Sequence, residues 1–134
     1  MEKEKKEIKI NKKFVFIIVS VVVIIGLLII VSKKPRLESN FKSLGSDFYT
    51  EYYYKTISKS KTEKEVKNFL SDFKEIGIVA SLRSIDTYNQ KGHEKEIKKL
   101  KNAKCDFDKS TVTIYPKKPY GKKDFTVKVK LSCK

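Results

Sequence analysis

The residues of this chain that could do chemistry are few and far apart: one histidine, two cysteines, a loose group of aspartates, a lysine-rich turn and a run of tyrosines. His93 stands in Gly-His-Glu-Lys-Glu, without the second histidine that would grip zinc from the same helix face in a zinc protease. It is expected at a solvated loop or a helix start. Cys105 and Cys133 are too few and too widely spaced for a structural zinc site, which draws four ligands from close pairs. Asp106, Asp108 and Ser110 open like a calcium loop, but Thr111 replaces the turn glycine and Lys117 stands where the bidentate glutamate belongs. An Asx turn is the simpler expectation. The sequence has no glycine-rich phosphate loop, no nucleophile elbow and no serine paired with a base. These patterns predict a non-enzymatic protein that needs no cofactor and no metal.

Two further groups suit binding. Lys117, Lys118, Lys122 and Lys123 crowd one Pro/Gly-rich turn, where they would meet an anionic partner such as nucleic acid, a teichoic-acid-like chain or anionic lipid. Tyr49, Tyr52, Tyr53 and Tyr54 could form a stacking surface for bases or sugars. At helical spacing the same cluster reads as core on one side and a wet tyrosine rim on the other. The chain carries 31 lysines and arginines against 16 aspartates and glutamates, a formal charge of +15. AT-rich coding sequence raises lysine, isoleucine, asparagine and tyrosine together, and the lysines are scattered rather than blocked, so the excess does not by itself specify a partner.

The elements that must position these groups begin with an apolar run. Phe14 to Val31 reads FVFIIVSVVVIIGLLIIV, interrupted only by Ser20 and Gly26. At helical rise it spans about 27 Å, close to the hydrocarbon thickness of a bilayer. Its side chains favour insertion, and in lipid the backbone must satisfy its own hydrogen bonds, so a helix is expected despite the many β-branched residues. The run is longer than a signal-peptide core and leads into Ser32-Lys33-Lys34-Pro35 without a small-x-small cleavage pattern. The expected organisation is a basic tail over residues 1–13, a membrane helix over 14–32, a short linker over 33–36 where Pro35 ends or bends the helix, and an α+β domain over 37–134.

The tail holds Lys3, Lys5, Lys6, Lys9, Lys12 and Lys13, so the positive-inside rule places the N-terminus in the cytoplasm and the C-terminal domain outside. A cysteine pair in a small exported domain usually forms a disulfide.

Within that domain, Leu37, Phe41, Leu44, Phe48 and Tyr52 recur at helical spacing. Thr62 and Glu65 form a capping box ahead of Val66, Phe69, Leu70, Phe73 and Ile76, and Gly77 is placed to stop that helix, predicted over 62–76. Ile78 to Leu82 suits a short strand, 84–88 a turn or single helical turn, and 94–103 a charged, peripheral helix. Thr111 to Tyr115 and Phe125 to Leu131 alternate polar and apolar residues around the lysine turn, the pattern of a β-hairpin. Pairing Val112 with Val127 and Ile114 with Phe125 leaves Cys105 one position from opposition to Cys133, an offset that a bend at 106–110 would absorb.

Asp47-Phe48-Tyr49, Tyr52-Tyr53-Tyr54, Gly77-Ile78, Ser81-Leu82, Cys105-Asp106, Ile114-Tyr115-Pro116, Pro119 to Asp124 and the closing Cys133 resemble a group of small single-pass membrane-anchored proteins from Saccharibacteria-type reduced-genome bacteria. The resemblance covers most of the domain and implies architecture and lineage, with no activity to carry over. A pilin-like subunit is a second comparison, through the apolar helix, its amphipathic continuation and a C-terminal sheet near a disulfide. Against it, no pilin processing site is present, the apolar run has no acidic residue and Pro35 interrupts the continuation. Together these readings predict an envelope protein anchored in the bilayer, whose outer domain engages a protein partner or helps assemble a surface complex. An electrostatic binder of anionic polymers is the alternative, and the sequence leaves the oligomeric state open.

Overall fold

Among the described residues, alternating polar and branched apolar residues make three strands, β1 (Ile78–Ser81), β2 (Thr111–Pro116) and β3 (Phe125–Lys130), joined antiparallel in the order β1-β2-β3. The computed structural model describes residues 12–88 and 92–134; the side chains of 12–18 and 26–32 fall outside that description, as does the predicted tail apart from the helical backbone of Lys12 and Lys13. The helical elements among the described residues are, in chain order, α1 (Lys12–Asp47), a π-helix (Phe48–Tyr53), α2 (Tyr54–Lys59), α3 (Glu63–Asp72), α4 (Leu82–Thr87) and α5 (Glu94–Asn102). The chain divides into two compact units between Pro35 and Arg36.

The described part of the first unit is the N-terminal part of α1. The apolar run is helical in backbone, and its described side chains, residues 19–25, are exposed, with Val22 at 63 % and Ile24 at 56 %. Among the described residues, no helix is long and apolar enough to cross a membrane. Across the expected linker at 33–36 the backbone is helical, with Pro35 inside α1, and the boundary between the two compact units falls within that stretch. A proline inside a helix removes a single i→i−4 bond, here the one that would reach the Val31 carbonyl, and the helix on either side holds Lys34 in the α region.

The second unit is the predicted α+β domain, in which helices pack against the sheet around one core. Phe41, Leu44, Tyr49, Val66, Leu70, Leu82, Ile85, Leu100, Val112 and Ile114 are nearly or wholly buried there. Gly45 lets α1 approach β2 closely, since a Cβ at that position would lie 2.9 Å from both γ-carbons of Val112. The capping box of α3 is complete: Glu65 accepts from the Thr62 N–H at 2.7 Å and donates its own N–H to Thr62 Oγ1 at 3.4 Å. The helix stops at Asp72, four residues short of expectation, and Ile76 is 69 % exposed rather than on the buried face. Gly77 explains the early stop: at φ +76° it turns the chain toward the sheet, so close to it that a Cβ would meet Thr113 Cγ2 at 2.4 Å. The charged helix expected at the periphery also differs, since α5 buries Ile97 and Leu100 in the core.

The hairpin forms with a register two residues from the expected one. Val112 pairs with Val129, Ile114 with Val127 and Pro116 with Phe125. An even shift keeps every side chain on its own face, so the apolar pattern fixes which residues point inward while the turn fixes the pairing. That turn is tight: Lys117 N–H reaches the Asp124 carbonyl at 2.7 Å, and the Asp124 carboxylate accepts from the Gly121 N–H at 2.8 Å. At the other end, Cys105 and Cys133 are joined by the disulfide. Six positions separate Cys105 from Thr111 but only three separate Lys130 from Cys133, and the turn at 106–110 takes up the excess. In it, Asp106 accepts from the N–H groups of Asp108 and Lys109 at 2.9 and 3.0 Å, the expected Asx turn.

Candidate functional site

The π-helix decides what the tyrosines can do. Its wider turn, closed by the Tyr54 N–H on the Tyr49 carbonyl, shifts the helical phase after Leu44. Tyr49 then takes the inward place that even α spacing gives to Phe48, and it is wholly buried, with its ring 4.7 Å from that of Phe125. Burial raises its phenol well above the usual 10.0, with Tyr54, Tyr53 and Asp124 adding to the effect. Among the described residues its hydroxyl has no hydrogen-bond partner. Tyr53 and Tyr54 are half-buried against the same core, and burial also raises the Tyr53 phenol. Tyr49, Tyr53 and Tyr54 are therefore largely packing residues.

Tyr52 alone faces outward. It stacks on Tyr88 at 4.4 Å with the rings 15° from parallel, and Tyr88 is 47 % exposed. Each ring covers a face of the other, so the pair offers edges and one outer face rather than an open platform. Tyr88 was invisible as a partner in the sequence, because the contact joins segments 36 positions apart. His93, the residue before α5, places Nε2 3.2 Å from the Asp47 carboxylate. Of the two expected settings, a solvated loop or a helix start, the histidine takes the second; it is half-buried there and ties the start of α5 to the end of α1.

The lysine turn divides in the same way. Lys122 pairs with Glu51 of the π-helix at 2.9 Å, and Lys55 approaches the other carboxylate oxygen. The two lysines lower the Glu51 carboxyl from its ordinary 4.5 to about 2. Lys117, Lys118 and Lys123 are exposed and make no ion pair among the described residues. The turn and the tyrosine segment are therefore neighbours, held together by Lys122–Glu51 and Tyr49–Phe125, but those contacts use up part of each candidate surface.

The disulfide end is held by charge. Arg83 grips Asp108 through two hydrogen bonds of 2.5 and 2.8 Å. The guanidinium holds the Asp108 carboxyl below its usual range, and backbone N–H groups of Lys109 and Asp108 do the same for Asp106. Among the described residues, no group of three or more histidine, cysteine, aspartate or glutamate side chains could hold a metal ion. A shallow cavity of about 320 Å³ lies against α4 and α5, lined by Asp86, Glu94, Ile97, Lys98 and Lys101. Its charges are mixed, which gives no preference for a ligand of either sign.

Sequence reasoning did not single out the outer face of the sheet. There Thr111, Thr113 and Tyr115 of β2 lie beside Lys130, Lys128 and Thr126 of β3, and Lys128 Nζ sits 5.3 Å over the Tyr115 ring. The signal was the polar half of the same alternation that revealed the hairpin. The class that fold and surfaces define is a small disulfide-bonded α+β domain. No protein-family model, curated protein or solved structure matches the chain.

Proposed function

We infer that the chain is a single-pass membrane-anchored envelope protein, whose extracytoplasmic domain docks a protein partner or contributes to a surface complex. The observation that carries this reading is the Cys105–Cys133 disulfide, because such bonds persist in oxidising compartments and are rare in the cytosol. Two features support it. The apolar run adopts a helical backbone whose described valines and isoleucines are exposed, as residues facing lipid must be, and the basic tail favours a cytoplasmic N-terminus. The resemblance to membrane-anchored proteins of reduced-genome bacteria agrees with this organisation. Crosslinking on intact cells followed by affinity recovery of the chain should return one reproducible protein partner. Digestion by external protease should remove the C-terminal domain. Recovery of no partner, or a domain spared by protease, contradicts the reading.

A second reading has its own support in Lys117, Lys118 and Lys123, which are exposed and without ion pairs among the described residues. These three would bind anionic polymers at the cell surface. Each lysine that neutralises a phosphate releases counterions, so affinity should fall steeply with salt. A flat salt response removes this reading.

A further inference from the structure

The hydrogen-bond parity of the hairpin can be read from its ends. Lys117 N–H to the Asp124 carbonyl at 2.7 Å continues the β2–β3 register. In an antiparallel ladder directly bonded pairs alternate with unbonded ones, so Tyr115–Thr126, Thr113–Lys128 and Thr111–Lys130 turn their backbone groups toward each other. The opposite side of β2 agrees, since Leu82 N–H to the Ser110 carbonyl at 2.8 Å continues the β1–β2 register and assigns Val112 and Ile114 to β1. The N–H and C=O groups of Phe125, Val127 and Val129 therefore point away from the sheet. β3 is a terminal strand, none of its residues is buried, and among the described residues nothing hydrogen-bonds to that outer edge.

Two side-chain rows flank the open edge. On the core side, Phe125, Val127 and Val129 are only partly covered. On the outer side, Lys128 and Lys130 are exposed, with the hydroxyl residues Thr113 and Thr111 as their neighbours across β2. Lysine on an edge strand discourages pairing with another copy of itself, and two β3 strands side by side would set these lysines against each other. The same lysines favour a strand that brings carboxylates.

We propose that the β3 edge is the docking site for an extended acidic segment of the protein partner, added as a fourth strand. Backbone bonds to Val127 and Val129 fix the segment, its apolar residues extend the core row, and its glutamates or aspartates lie beside Lys128 and Lys130. This rests on the reading that the domain docks a protein, and it names the surface and the chemistry of the partner.

The test uses the full-length disulfide-bonded chain in detergent micelles and a synthetic peptide alternating valine and glutamate. That peptide should bind and slow amide exchange at Val127 and Val129. A peptide alternating valine and lysine should not bind. Val127→Pro removes one outward N–H and should weaken binding at least about tenfold; K128E/K130E should reverse the charge preference. The proposal is overturned if the valine–glutamate peptide fails to bind, if it binds without protecting those two amides, or if inorganic polyphosphate competes as well as the peptide while both leave the edge unprotected. In the last case the lysines act by charge alone, on a polymer. If the intact-cell experiment recovers a partner but the peptide leaves the edge untouched, the docking reading stands and this surface is wrong. Should the domain prove cytoplasmic while the peptide still adds at the edge, the failure lies with the localisation.

Discussion

The sheet has two edges, and they are finished differently. At β1 the chain turns out of the edge at both ends: Gly77 gives its N–H to the Phe73 carbonyl at 2.9 Å, and Ser81 caps α4 by accepting from the Ser84 N–H at 3.1 Å. Val79, 63 % exposed, and Ser81 are the β1 positions whose backbone faces outward there, and Ser81 already serves as the cap of α4. At β3 the edge is longer, its outward backbone groups are unengaged among the described residues, and only its ends are fixed, by the disulfide and by the Lys122–Glu51 pair. An edge closed by turns resists further strands, whereas an edge pinned at its ends and open between them can accept one.

The largest expected effect comes from unpinning β3. Replacing Cys105 and Cys133 with serine releases a loop spanning 28 positions and should cost about 3 to 4 kcal/mol in the chain-entropy model. Chemical denaturation of the variant measures the loss. Amide exchange should place the fraying in β3 while β1 keeps its protection; equal fraying of both edges would erase the contrast between them.

Proline substitutions sharpen the comparison within β3 itself. Lys128→Pro removes an N–H that faces β2 and should cost roughly 1 to 3 kcal/mol, the penalty for leaving a ladder partner unsatisfied. Val127→Pro removes one that faces outward and should cost clearly less. Equal losses would mean that the parity assigned to the hairpin is wrong. At the other edge, Gly77→Ala should cost about 1 to 3 kcal/mol, because its φ of +76° and the 2.4 Å approach to Thr113 both exclude a side chain.

Tyr49→Phe tests how the core beneath the turn is closed. Removing a buried hydroxyl without a partner should leave stability unchanged or raise it by about 1 kcal/mol; a clear loss would show that the hydroxyl is satisfied in solution. With the hydroxyl in place, Tyr49 stays protonated in the fold at a pH where the unfolded chain ionises. Stability should then fall as pH climbs above about 10, and ultraviolet titration should show one phenol that ionises only on unfolding.

The smallest effect is the pH response of the turn. Because Glu51 is depressed from 4.5 to about 2, its contribution is present above pH 4.5 and is lost as pH falls toward 2. Glu51→Gln should flatten that part of the acid profile, and added salt should weaken the response, since the pair is half-exposed. An unchanged profile in Glu51→Gln would place the acid sensitivity at the other depressed carboxyls, Glu63, Glu65, Asp106 and Asp108.

Much of this was legible in the residues, for reasons that can be named. The capping box at Thr62 and Glu65, the Asx turn at Asp106 and the inward parity of the hairpin depend on local chemistry, and local patterns report it. What escaped depended on contacts between distant segments. The register slipped by two because alternation is blind to even shifts. α3 ended early because Gly77 had to meet Thr113 and Tyr115. Even α spacing points Phe48 inward, and the π-helix turns Tyr49 into the core in its place. Of the candidate surface residues, Lys122, Tyr49, Tyr53 and Tyr54 carry structural contacts, and the open β3 edge is visible only from the strand order.

Amide hydrogen exchange on the free full-length chain tests the openness of the β3 edge most directly. Val127 and Val129 should exchange much faster than Thr126 and Lys128, their immediate neighbours on the same strand. Matching protection across all four amides would show that β3 is already covered, and a fourth strand would then have no place to add.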